Sequence, residues 1–226
     1  MSTSGTYTYN PSLGEMVLYS YQLIGVRPTA VLQEHMDAAR TATNMMLASW
    51  ANRGVNLWAV DLITTPLTAG VQTYTVDGNT VMILDAYIEY GSPPIDRIIL
   101  PISRTEYASY PNKIQRGFPT TFWFDRLISP TVTLWPVPDG SQTSLKYYRV
   151  RRIQDSNLQG AEQVEIPYLW LEAFVYGLSH RLAMIWAPDK VAGSKAIADE
   201  AYNIAAAQNI EQANFYISPT ISGYFR

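Results

Sequence analysis

GFPTTFWFDRLISPTVTLWPVPDGSQTSLKYYRVRR, residues 117–152, is the stretch on which the reading of this chain turns. It divides into three short strands punctuated by tight turns. Residues 122–126 and 131–135 alternate around Ser129-Pro130, and Pro136-Val137-Pro138-Asp139-Gly140 then reverses the chain into a strand at 144–152. Asp-Gly between apolar runs is a strong turn signal, because glycine tolerates the positive φ such turns need. The block offers no plausible catalytic group and stands between two long helical segments.

Upstream, Ser12 and Glu15 have the spacing of a capping box, and Leu13, Val17, Tyr21 and Ile24 follow at helical intervals until Gly25. Thr29 is placed to cap a second helix. Its buried face is predicted from Leu32, Met36, Ala39, Thr43, Met46, Leu47 and Trp50, and Gly54 closes it. From Trp58 the period changes. Residues 59–64, 72–76, 81–90 and 97–100 read as strands between Pro and Gly clusters. Downstream, Pro167 opens a helix with an apolar stripe of Leu171, Phe174, Val175, Leu178, Leu182 and Ile185. After Ala187-Pro188-Asp189, a last helix brings Ala198, Ala201 and Ala205 to one face, where small side chains permit close packing.

The fold class expected is α+β. A four-helix unit is drawn from residues 12–57 and 166–213, a central antiparallel β-rich insertion occupies 58–165, and an extended C-terminal tail follows at 214–226. The tail has no helical period, and its large apolar residues stand at both ends with Pro219 and Gly223 between them.

Composition excludes several classes. There is no cysteine, hence no disulfide framework and no thiolate chemistry, which fits a reducing compartment. No run approaches the roughly 20 apolar residues of a membrane span, and the first residues predict no secretory signal. A net charge of −3 argues against a protein that grips nucleic acid by its phosphates. The 16 Tyr and 6 Trp are a heavy load that suits interfaces as well as cores.

Candidate chemistry is thin. His35 and His180 are the two histidines, without the spacing of a zinc site. His35 is expected to be an exposed or half-buried helical residue. Gly177-Leu178-Ser179-His180-Arg181 faintly resembles a nucleophile elbow, but Arg181 stands where glycine is required and the segment is helical. Asp61, Asp77, Asp85, Asp96, Asp125 and Asp139 lie mostly beside turns, where aspartate organises the backbone, and nothing pairs them for glycosidase work. No phosphate-binding loop is present, and neither a cofactor nor a metal is called for. The one dense basic cluster is Arg149, Arg151 and Arg152 beside Tyr147 and Tyr148; Arg149 and Arg151 share a strand face. It reads as a solvated or salt-bridging rim, or as a contact for an acidic partner or passing DNA.

The ordered set of local features resembles the head-to-tail adaptors of short-tailed bacteriophages, the tail tubular protein A-like connectors. The pieces, in order, begin with Met46-Leu47-Ala48-Ser49-Trp50, Gly54 and Leu57-Trp58, then Gly70-Val71-Gln72-Thr73-Tyr74-Thr75-Val76. Pro101-Ile102-Ser103 with Glu106-Tyr107 and Gly117-Phe118-Pro119 with 122–125 come next. Thr133-Leu134-Trp135-Pro136-Val137-Pro138-Asp139, Tyr147-Tyr148-Arg149, Ile153 with Asp155, Ile166-Pro167 and Leu182-Ala183 complete the set. The resemblance implies a virion protein of the neck, made in the host cytoplasm and without enzymatic activity. It implies a homo-oligomeric ring, a dodecamer, with the portal protein above and the tail nozzle protein below. Phage DNA would pass through its lumen without sequence-specific binding, and no membrane is involved. Such a ring needs two different sticky faces on each subunit, and Trp135, Arg149 and Arg151 are candidate ring or lumen contacts. The alternatives are another virion component, such as a tail completion or decoration protein, and a carboxylate-based hydrolase in the β block.

The tail is the candidate contact with the portal or a neighbouring subunit, through Phe215, Tyr216, Ile217, Tyr224, Phe225 and Arg226. Burying each large side chain contributes roughly 1.5–3 kcal/mol, and ordering the backbone costs about 1–2 kcal/mol per residue. The two sums are similar, so one tail binds weakly. Many displayed from a ring bind by avidity.

Overall fold

Glu15 Oε2 accepts from the Ser12 backbone N–H at 2.8 Å, and Ser12 Oγ accepts from the Glu15 N–H at 3.3 Å. The first helix, α1 (Leu13–Leu23), therefore starts where its capping box places it. It ends at Gly25, whose φ of +91° is the left-handed conformation glycine adopts freely. The computed structural model describes residues 4–54, 56–158 and 162–210.

The second helix begins later than Thr29 suggests. Pro28–Ala30 forms a 3-10 turn, and α2 runs Gln33–Ala51. Thr29 does not cap it; His35 Nδ1 accepts the Leu32 N–H at 3.2 Å instead. His35 is thus neither exposed nor half-buried, as expected of it, but buried. It is only 7% exposed and lies stacked on Trp186, ring centroids 4.0 Å apart. Its carbonyl accepts from the Tyr21 hydroxyl at 2.6 Å. Burial pushes the Tyr21 pKa up to about 12, keeping that hydroxyl a donor.

Helices α4 (Leu171–Trp186) and α5 (Val191–Gln208) complete the helical unit, after a short α3 (Arg104–Ser109) inside the β region. Helix α4 packs against α1, α2 and α5. Its Phe174, Leu178 and Leu182 are fully buried among Val17 and Tyr21 of α1, Met46 and Trp50 of α2, and Ala201 and Ala205 of α5. Each such burial contributes about 1.5–3 kcal/mol over exposure. Ile185 leaves the expected stripe: it lies in the last turn of α4 and is 57% exposed. A Cβ on Gly177 would lie 2.7 Å from Met46 Sδ, so the glycine leaves room on α4 for the Met46 side chain of α2.

The β region is one curled sheet of seven strands. They are β1 (Val60–Pro66), β2 (Thr73–Thr75), β3 (Thr80–Tyr90), β4 (Ile95–Pro101), β6 (Thr121–Asp125), β7 (Thr131–Trp135) and β9 (Gln142–Arg151). The order is β1-β9-β3-β4-β6-β7-β2. A separate short pair joins β5 (Arg116–Gly117) to β8 (Val137–Pro138). Pairing is antiparallel except for β4 with β6 and β5 with β8. As expected, β6 and β7 form a hairpin, with Phe122 opposite Leu134. The Asp139-Gly140 turn does not fold β9 back onto β7. Strand β9 crosses to insert between β1 and β3, with Tyr147 opposite both Ile63 and Ala86. Inward-facing Ala86, Ile88, Ile99, Phe122, Leu134, Leu145 and Tyr147 fill the curl.

Among the described residues, no helix is long and apolar enough to cross a membrane.

Candidate functional site

Arg149 and Arg151 both face the concave side of the sheet, and both are committed to carboxylates of their own chain. Arg149 is 8% exposed. Its Nη1 lies 2.8 Å from Asp77 Oδ2 and donates to Thr80 Oγ1 at 3.0 Å, and its Nη2 is 3.6 Å from Asp61 Oδ2. Arg151 Nε is 3.1 Å from the same Asp61 oxygen. Its two Nη atoms grip both oxygens of Glu165, with Nη1 to Oε2 at 2.7 Å. The Arg151 guanidinium holds the Glu165 carboxyl below the usual range. The salt-bridging reading of this basic cluster is the one the geometry matches. The ion pairs also occupy Asp61 and Asp77, two of the carboxylates weighed for hydrolysis.

Trp135 sits apart from these arginines, at the end of β7. Its ring stacks on Tyr110 with centroids 4.1 Å apart, and its Nε1 donates to the Asn112 carbonyl at 2.9 Å. Tyr110 in turn meets Tyr107, which stacks on Trp123 at 5.3 Å. Helix α3 and the chain after it thereby cover the outer surface of β6 and β7. Gln72 Nε2 fastens the cover, donating to the Tyr107 hydroxyl at 2.7 Å and the Lys113 carbonyl at 2.9 Å. Helix α3 is missing from the sequence reading, although Ser103 and Glu106 have capping spacing: Ser103 Oγ accepts the Glu106 N–H at 3.1 Å.

The other half of the sheet has no such cover among the described residues. On its outer face Leu62 lies opposite Tyr148, and Tyr87 lies opposite Ile98. The Tyr87 and Tyr148 rings stand 6.4 Å apart, which joins the two pairs into one row across β1, β9, β3 and β4. Ile98 and Leu100 are 63% and 62% exposed. Beside the row, Lys146 Nζ contacts Glu89 at 2.8 Å and Asp96 at 3.6 Å. A large apolar strip on a sheet face signals contact with another surface. The signal is present in the sequence of β4, IDRIILP, which places apolar residues on both faces.

Ser179 and His180 do not act together. Ser179 Oγ donates to the Tyr176 carbonyl at 2.8 Å, whereas His180 Nδ1 lies 3.3 Å from Ser194 Oγ. Burial and the neighbouring Arg181 lower the His180 pKa. Among the described residues, no group of three or more His, Asp or Glu side chains is placed to hold a metal ion. The tail residues Phe215, Tyr216, Ile217, Tyr224, Phe225 and Arg226 lie outside the described residues.

Comparison with known proteins gives one finding. The family model described as SU10 adaptor protein matches residues 26–221, which takes in α2, the whole sheet, α4 and α5. No curated protein matches the chain.

Proposed function

The chain belongs to the SU10 adaptor protein family and is a structural component of the phage virion, and from that premise we propose a head-to-tail adaptor. Copies assemble into a ring that seats on the portal protein, receives the tail nozzle protein and leaves a lumen for the genome. The observation that carries this reading is the extent of the family match, which spans helices and sheet together rather than one motif. The uncovered row Leu62, Tyr148, Tyr87 and Ile98 supports it, because a ring subunit buries such a face against a neighbour. The tail carrying Phe215, Tyr216, Ile217, Tyr224, Phe225 and Arg226 docks on the portal or on the adjacent subunit.

Electron microscopy of the protein alone and mixed with portal tests the reading. Rings that cap the portal are the expected result, and a protein that stays monomeric in both samples overturns it. Deleting 215–226 should leave a folded chain that no longer holds the portal. Undiminished attachment of the shortened chain would discard the tail's role while leaving the ring intact.

A further inference from the structure

Helix α4 separates two surfaces of opposite charge. On one side, α1, the segment before it and the start of α4 enclose an open groove of about 1060 Å³. Tyr9, Tyr19, Tyr168 and Tyr176 line it, and its charged groups are Glu15 and Glu172. Glu15 is already anionic and fixed, since its carboxylate accepts from Ser12, which lowers its pKa. Glu172 is exposed and makes no ion pair among the described residues.

On the other side, the end of α2, the middle of α4 and α5 enclose a smaller pocket of about 210 Å³. The cations Arg53, Arg181 and Lys195 converge on it beside His180, against Asp199 as the one carboxylate of its lining. Among the described residues Asp199 forms no ion pair with any of them. Arg53 lies over the Tyr202 ring at 4.4 Å and presses on Arg181, whose pKa falls through burial first and Arg53 second. The pocket thus carries three cations, Arg53, Arg181 and Lys195, against one carboxylate, an excess of positive charge.

The positions of the two sets on α4 are nearly opposed. Residues 171, 172, 175 and 176 border the groove and 173, 177, 180, 181 and 184 border the pocket; at 3.6 residues per turn they point roughly 150° apart. One molecule therefore displays an aromatic acidic face and a basic pocket on opposite flanks. Two unlike, complementary faces on opposite flanks are what a head-to-tail contact between identical chains requires.

We infer that the groove bearing Glu15 and Glu172 of one copy docks on the pocket bearing Arg53, Arg181 and Lys195 of the next copy. This rests on the ring reading above and names a helical contact between neighbouring copies, separate from the sheet row. The exposed tyrosines supply the contact area, and the charges set register and direction.

Charge reversal on exposed side chains tests it in the full-length protein. Glu172→Lys alone, and Arg53→Glu with Lys195→Glu in one chain, should each raise the concentration needed for assembly at least about tenfold, because like charges then meet. Circular dichroism and thermal unfolding confirm that each variant is folded. Mixing the two variants should restore assembly, since in an alternating ring every groove again meets a pocket of opposite sign. Single variants that assemble like the parent, or a mixture that does not recover, overturn this interface while the parent's rings keep the adaptor reading. If the parent forms no rings alone or with portal, the ring reading itself fails and this surface with it.

Discussion

Arg149 Nη1 and Asp77 Oδ2, 2.8 Å apart, tie the segment just past β2, at one edge of the sheet, to β9 near the other. The contact closes the curl. Arg149 is nearly buried, whereas the Asp77 side chain is 49% exposed, so its loss is felt mainly on the arginine. Arg149→Ala should lower the unfolding free energy by about 2 kcal/mol, the scale of a charged hydrogen bond with half-exposed partners. Urea denaturation measures it. An unchanged midpoint combined with weaker assembly would return Arg149 to the role of a partner or lumen contact.

Arg151 and Glu165 clamp the point where the chain leaves the sheet to the point where it re-enters the helices. The Glu165 pKa is lowered, first by its hydrogen bond with Arg151. As pH falls, the unfolded carboxyl takes up its proton first. The clamp's contribution is therefore complete above the ordinary value of 4.5 and is lost as pH drops through the lower folded-state value. Thermal unfolding from neutral pH downward should show the parent losing stability below about pH 4.5, with Glu165→Gln less stable at neutral pH and flatter through that window. Parallel curves for the two proteins would remove Glu165 as a cause of acid sensitivity.

His35 combines a helix cap with an aromatic stack, holding the Leu32 N–H and lying 4.0 Å from the Trp186 ring. Removing both in His35→Ala should cost about 2 kcal/mol, roughly 1 for the cap and about 1 for the stack. His35→Asn keeps a cap acceptor and loses the stack, and should fall about midway between the parent and His35→Ala. Equal losses in the two variants would show that the cap contributes nothing.

The helices and most strands are legible because their signals are local. Ser12 with Glu15, the Ala198, Ala201 and Ala205 stripe, and the alternation read through 122–126 and 131–135, found as 121–125 and 131–135, each act within a few residues. What stays hidden depends on partners distant in sequence. The placement of β9 between β1 and β3 is decided by inward Leu145 and Tyr147 meeting Thr65, Ile63, Ile88 and Ala86, not by the Asp139-Gly140 turn before it. The burial of His35 depends on Trp186, far along the chain. The pairing of Arg149 and Arg151 depends on Asp61, Asp77 and Glu165, and from β9 alone an arginine on a strand reads equally as a contact or as a tie. Strand β4 is the contrary case: apolar residues on both of its faces announce the uncovered surface in the sequence itself.

That surface gives a prediction in which stability and assembly separate. Ile98 is 63% exposed and stands opposite Tyr87 on the outer face of the sheet, so little of it is buried within one chain. Ile98→Lys should leave the unfolding midpoint within about 0.5 kcal/mol of the parent, as surface changes usually do. If the face is covered in the assembled adaptor, the same lysine is forced into an apolar contact and its ammonium is stripped of water. Assembly with portal, followed by sedimentation or electron microscopy, should then fall at least about tenfold, a loss of roughly 1.4 kcal/mol per contact. Leu62→Lys, in the same row on β1, should act the same way. Full assembly of both variants would mean that the row faces solvent in the virion and that the adaptor's contacts are made by its helices instead.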